Sequence, residues 1–98
     1  MISVVILTKN AEATLRAVLT TLAPLQEIVV VDTGSTDRTK QIATSFPNVQ
    51  FYEHYFIGFG PLHNQGALLA SHDWILSLDS DEVPTQALIK EILSLNSL

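Results

Sequence analysis

Short apolar runs and longer apolar stripes alternate from one end of the chain to the other. Residues 2–7, 28–31, 49–52 and 74–78 are compact runs rich in β-branched and aromatic side chains, the signature of strands. The first, second and fourth are nearly continuous rather than alternating, as expected of strands buried on both faces. Each run is followed by a helical pattern. Leu15, Val18, Leu19 and Leu22 recur at three- and four-residue intervals and form one stripe that Pro24 closes. Gly34-Ser35-Thr36-Asp37 offers a flexible turn, hydroxyl N-caps and an acid for the first turn of a second helix, which should end before Pro47. Pro61 suits the first turn of a third helix leading to Ala67 and Leu69. Pro84-Thr85 opens a fourth, with Leu88, Ile89, Ile92 and Leu93 on one face. Only residues 53–60 look like a long loop.

This βαβαβαβα order predicts an α/β fold: a Rossmann-like, three-layer α/β/α arrangement with a mostly parallel sheet and right-handed crossovers. Ligands of such sheets bind beyond the carboxyl ends of the strands, near the point where strand order reverses. Three polar clusters fall there: Thr8-Lys9-Asn10, Asp32-Thr33-Gly34-Ser35 and Asp79-Ser80-Asp81-Glu82. Residues 1–98 read as one domain, since no linker, repeat or low-complexity tract interrupts them.

Composition narrows the ligand class. Hydrophobic residues make up 47 % of the 98, enough for a core, while the net charge is −5 with only five Lys and Arg. Nucleic acids and anionic membranes are polyanions that need clustered cations, so neither fits as a partner. An anionic ligand must therefore be met by backbone amides or a bound cation. No cysteine is present, which removes disulfides and thiolate metal sites. No stretch approaches the roughly 20 apolar residues of a membrane span. The expected location is the cytoplasm.

The chemistry concentrates after the fourth strand, where Asp79, Asp81 and Glu82 place three carboxylates in four residues. Hard divalent cations take oxygen ligands, and Mg²⁺ is usually held by one or two carboxylates with substrate phosphates completing its shell. Alternation along an extended segment would put Asp79 and Asp81 on one side and Ser80 on the other. Equally, acids before Pro84 would serve to cap the last helix. Asp32 fits a ligand's ribose or base, or a turn that bonds its own backbone. Thr8 and Asn10 carry the same ambiguity, Asn10 as an N-cap of the first helix. His54 and His72 read as surface residues, whereas His63 reaches a phosphate if the segment around it lines the cleft. Trp74 and the Phe56/Phe59 pair read as core or loop anchors rather than sugar platforms. No G-x-G-x-x-G follows the first strand, which disfavours a nicotinamide enzyme.

Three blocks together resemble the N-terminal part of family 2 inverting glycosyltransferases, with the GT-A type fold. They are Ser3-Val4-Val5-Ile6-Leu7-Thr8-Lys9-Asn10, Ile28-Val29-Val30-Val31-Asp32-Thr33-Gly34-Ser35-Thr36-Asp37-Arg38-Thr39 and Asp73-Trp74-Ile75-Leu76-Ser77-Leu78-Asp79-Ser80-Asp81-Glu82. Phe56-Ile57-Gly58-Phe59-Gly60 is similar to a branch that includes bacterial lipopolysaccharide-core glucosyltransferases. The resemblance implies that Thr8 and Asn10 border a nucleotide, that Asp32 contacts its base or ribose and Asp79 lies near the ribose. It implies that Asp81, with Asp79, holds Mn²⁺ or Mg²⁺ on the diphosphate. His63 stands where many members have a basic residue before Asn64.

The donor so implied is a nucleotide diphosphate sugar, most simply a UDP-sugar, and the acceptor a glycan or glycolipid of the cell envelope. Full-length relatives would then work at the inner face of the membrane. The family's catalytic base lies downstream of the Asp-x-Asp element, so residues 1–98 are expected to be a truncated part of a larger domain that binds donor without turnover. Two other readings compete. One is a non-catalytic α/β module that self-associates through surface the missing part would cover; the other is a nucleotidyltransferase, for which Thr8-Lys9-Asn10-Ala11 lacks the Gly-rich phosphate loop.

Overall fold

The computed structural model describes residues 2–70 and 74–96. Four strands, β1 (Ile2–Thr8), β2 (Ile28–Asp32), β3 (Val49–Glu53) and β4 (Trp74–Asp79), alternate with four helices, α1 (Leu15–Thr21), α2 (Thr39–Thr44), α3 (Phe59–Leu69) and α4 (Gln86–Asn96). The sheet is parallel throughout, in the order β3-β2-β1-β4. The expected α/β class and parallel sheet are therefore present. The chain builds outward from β1 through β2 to β3, then jumps back across β1 to place β4 on its other side. That reversal makes the β1/β4 crevice the switch point of the sheet.

Alternation sorts the core into two layers. Val4, Ile6, Ile28 and Val30 face α1, α2 and α4 together with Leu15, Val18, Leu19, Leu22, Ile89 and Ile92. Val5, Val29 and Val31 face the opposite way, onto Leu62 of α3. Here α3 comes very close: a Cβ on Gly66 would stand 2.5 Å from Val5 Cγ1.

Position in the sheet decides burial. All five residues of β2 are buried, as its apolar run predicts. In β4 only Leu78 is buried and Trp74 is 71 % exposed, against the expectation of a strand covered on both faces and of a core tryptophan. The reason is topological. β4 is an edge strand, and α3, alone on its side of the sheet, packs on β1 and β2 rather than on β4.

Helix α2 starts later than Gly34-Ser35-Thr36-Asp37 suggests. Its N-cap is Arg38, without a side-chain cap bond, and its first turn contains no acid. Ser35 and Gly34 are occupied elsewhere, as donors to Asp32. The last helix opens as expected, with the Thr85 hydroxyl accepting a hydrogen bond from the Leu88 amide at 3.1 Å. Among the described residues no helix is long and apolar enough to cross a membrane.

Candidate nucleotide-binding site

Parallel register brings the polar clusters level at one edge. Thr8 pairs with Asp32, Asp32 with Glu53, and Leu7 with Asp79, so β1, β2 and β4 release their loops side by side. Between them lies a cleft of about 490 Å³ at the switch point, lined by Thr8, Asn10, Thr14, Thr33, Phe56, Phe59, His63, Asp79, Ser80 and Asp81 among others. Five of the six residues singled out from sequence, Thr8, Asn10, His63, Asp79 and Asp81, share this cleft. Asp32 does not line it. It opens instead onto a second cleft of about 610 Å³ with Thr33, Gly34, Ser35, Glu53, His54 and Tyr55.

Asp32 is 4 % exposed and its carboxylate is fully engaged within the chain. Oδ1 accepts the Thr8 hydroxyl at 2.7 Å and the Ser35 hydroxyl; Oδ2 accepts the Gly34 and Ser35 amides at 3.1 and 2.8 Å. Four donors use the roughly four lone-pair sites a carboxylate offers. Burial works to raise the Asp32 pKa, but the hydrogen bonds from Ser35, Thr8 and Gly34 outweigh it and hold the carboxyl below its ordinary value. Gly34, at φ 116°, turns its amide toward Asp32 in a conformation that L side chains rarely adopt.

Asn10 is not the cap of α1, whose N-cap is Thr14. At φ 52° it sits in the left-handed region, which Asn tolerates. Its amide donates to Ser35 Oγ at 2.7 Å and its Oδ1 accepts the Thr36 amide at 2.8 Å. The neighbouring Ala11 amide donates to Thr39 Oγ1, and Thr39 Oγ1 in turn donates to Asp37 Oδ1. These bonds, chiefly the one from Thr39, lower the pKa of Asp37. Much of the Ser35-to-Thr39 block is thus a brace between the β1–α1 and β2–α2 loops. Sequence spacing gave no sign of that cross-link, because its partners lie about 25 residues apart.

The Asp-x-Asp segment leaves the extended conformation at once. The Glu82 amide donates to the Asp79 carbonyl at 3.2 Å, closing a turn, and the Ser80 carbonyl accepts the Thr14 hydroxyl at 2.9 Å. Strict alternation is therefore lost, and Asp79, Ser80 and Asp81 all line the same cleft. Both aspartates are exposed. The capping alternative loses its footing, since Thr85 supplies the cap and the first turn of α4 has no acid. Among the described residues no three acidic or imidazole side chains form a ready-made metal cage. The pair does offer what a phosphate-bound Mg²⁺ or Mn²⁺ takes from a protein, namely one or two carboxylates open to the solvent side.

His63 lines the cleft from α3, and its Nδ1 is buried without a hydrogen-bond partner, a costly state for a polar atom unless a ligand or water meets it. His54 is half-buried, with Nδ1 2.8 Å from the Tyr55 carbonyl, and His72 lies outside the described residues. Phe56 and Phe59 depart from the core role expected of them. They are 57 % and 70 % exposed and stand on the cleft wall.

The sequence matches the model of glycosyl transferase family 2 across residues 3–95. The chain belongs to glycosyl transferase family 2. This family 2 domain is 34 % identical over 92 residues to an uncharacterized glycosyltransferase of Rickettsia typhi, covering 93 % of the chain and 31 % of that protein. It is 41 % identical over 58 residues to a TPR repeat-containing protein of Synechococcus elongatus, covering 59 % of the chain and 14 % of the protein. Among solved structures, glucosyl-3-phosphoglycerate synthase of Mycobacterium tuberculosis, in complex with Mn²⁺, UDP and glucosyl-3-phosphoglycerate, superposes with a TM-score of 0.79. Identity there is 26 %, over 96 % of the chain and 38 % of that enzyme. The chain thus spans well under half the length of each.

Proposed function

We propose that the chain is the donor-binding region of a hexosyltransferase that uses a nucleotide diphosphate sugar, most simply a UDP-sugar. The observation that carries this reading is the convergence of Thr8, Asn10, His63, Asp79 and Asp81 on one cleft at the switch point. The complex of the mycobacterial enzyme with Mn²⁺ and UDP supports the same choice of donor and cation.

In this reading Asp81, helped by Asp79, holds Mn²⁺ or Mg²⁺ against the diphosphate. The cation, when bound, supplies Lewis-acid stabilisation of the charge that develops on the departing diphosphate. Thr8 and Asn10 border the nucleoside, and His63 faces the phosphates with its buried Nδ1. Asp32 plays its part chiefly from beneath: it fixes Thr8 and Ser35, and Ser35 fixes Asn10. A ribose or base contact by Asp32 itself would have to displace one of its four internal donors.

The acceptor proposed is a glycan or glycolipid of the cell envelope, as in the lipopolysaccharide-core branch that Phe56-Ile57-Gly58-Phe59-Gly60 resembles, with the enzyme at the cytoplasmic side of the membrane. Activation of the acceptor hydroxyl requires a general base within about 3 Å of it. That base is proposed to lie in sequence beyond Leu98, so residues 1–98 bind donor without transferring sugar.

Calorimetric titration of UDP with and without Mn²⁺ tests the reading. Metal-dependent binding is expected in the wild-type chain and its loss in Asp81→Ala, which unlike a capping residue should leave the unfolding midpoint unchanged. Binding that ignores Mn²⁺, or survives Asp81→Ala, refutes the assignment of the metal.

A further inference from the structure

The wall of the cleft opposite its carboxylates is aromatic, and the donor reading so far leaves it without a task. Phe56 and Phe59 form an edge-to-face pair, with ring centroids 5.2 Å apart and planes at 77°. In that geometry the ring presenting its edge keeps its own faces free. Neither ring is sunk into the core, yet both line the cleft that holds Thr8, Asn10 and Asp79. Exposed aromatic surface in a concave site marks a place where an apolar face of a ligand is covered.

The rim is preset rather than loose. Gly58, at φ 107°, makes the turn between the two rings, and its carbonyl accepts the Leu62 amide at 3.1 Å, which anchors the loop to the first turn of α3. Pro61 stands at van der Waals distance from the Gly58 Cα side and fixes the same turn.

Position selects the part of the donor that these rings meet. Helix α3 packs over β1 and β2, so Phe59 at its start stands on the β1–β2 side of the cleft. Asp79 and Asp81 follow β4, on the far side of β1. With the diphosphate at the aspartates, the aromatic side is where Thr8 and Thr33 emerge, the side assigned to the nucleoside. A nucleobase is a planar π system with two apolar faces and a polar edge, and it stacks on aromatic side chains independently of its hydrogen bonding.

We infer that the Phe56–Phe59 pair is the stacking wall for the nucleobase of the donor, an assignment that rests on the donor-binding reading above. The pair positions the base by its face, while the polar groups at the ends of β1 and β2 are left to read its edge.

The test compares UDP with inorganic pyrophosphate, each with Mn²⁺, on the 98-residue chain and on Phe56→Ala, Phe59→Ala and the double variant. Both side chains are exposed, so circular dichroism should show the fold intact. The double variant is expected to lose affinity for UDP about five- to hundredfold and to bind pyrophosphate as the wild type does. In the wild-type complex, saturation transfer from the phenylalanine ring protons should reach uracil H5 and H6, and it should vanish in the variants. Undiminished UDP affinity in the double variant overturns the inference while leaving the metal site standing. So does a loss seen only with UDP-glucose and not with UDP, which would assign the wall to the sugar. If the wild type binds neither UDP nor pyrophosphate with Mn²⁺, the donor-binding reading falls and this inference with it.

Discussion

Asp32 has the most constrained side chain at the site, and its behaviour with pH follows from its donors. Its folded pKa lies below the ordinary value of 3.8. A carboxylate with a depressed folded pKa contributes stability that is complete above its unfolded pKa, about 3.9, and disappears as pH falls through the folded value. Urea unfolding is therefore expected to show constant stability for this group above about pH 5 and a decline below about pH 4. Asp32→Asn should flatten part of that decline, leaving the share due to Asp37 and other acids. At neutral pH the same variant turns an NH₂ group toward the Gly34 and Ser35 amides or toward the two hydroxyls, and a loss of about 1–3 kcal/mol is expected. An unchanged acid limb in the variant would show that these four bonds are not what holds the carboxylate charged. The sequence offered both a ligand contact and a self-bonded turn for Asp32. Only folding revealed that Thr8, 24 residues away, joins Gly34 and Ser35 in filling its lone pairs.

Two helices show how local signals and contacts share the work. Gly66 weakens α3 by its own propensity, and Ala there would gain about 1 kcal/mol if the helix stood alone. The approach to Val5 outweighs this. A Cβ 2.5 Å from a β-branched side chain locked in a packed sheet forces backbone or rotamer shifts, at a typical cost of about 1–3 kcal/mol. Gly66→Ala is thus expected to lower the thermal midpoint, and a cycle with Val5→Ala should show favourable coupling between the two changes. A Gly66→Ala chain as stable as the wild type would deny the close approach. In α4 the cap separates structural from chemical acids. Thr85→Ala should cost about 1 kcal/mol, whereas Asp81→Ala and Glu82→Ala should stay within about 0.5 kcal/mol of wild type. Both are measured by denaturant unfolding, and a large loss in Asp81→Ala would return the acids to a capping role.

For the molecule as a whole, the strand order leaves β4 at an edge, with Trp74 71 % exposed at its start and Leu95 52 % exposed on α4. An edge strand without bulge, proline or flanking lysine is a template for pairing with another chain. Sedimentation velocity across a range of concentrations is expected to show self-association of the 98-residue chain, and Trp74→Lys to reduce it. A monomer at all concentrations would remove the self-associating alternative. Donor binding is independent of this outcome, because the cleft lies at the carboxyl ends of β1 and β4 while Trp74 sits at the amino end of β4.

Apolar periodicity along the chain determined the eight elements and their parallel order, because a strand of β2's composition must be covered on both faces and a stripe at three- and four-residue spacing must face a sheet. It also placed the polar clusters at the carboxyl ends, since each ends an apolar run. What it left undetermined depends on neighbours distant in sequence. The exposure of Trp74 followed from the jump of β4 across β1, and the outward display of Phe56 and Phe59 from where α3 lands on the sheet. The bracing of Asn10 against Ser35 and Thr36 arose when two parallel loops were set side by side. Periodicity reports the face on which a residue lies; what that face meets is decided by the crossovers that bring strands together.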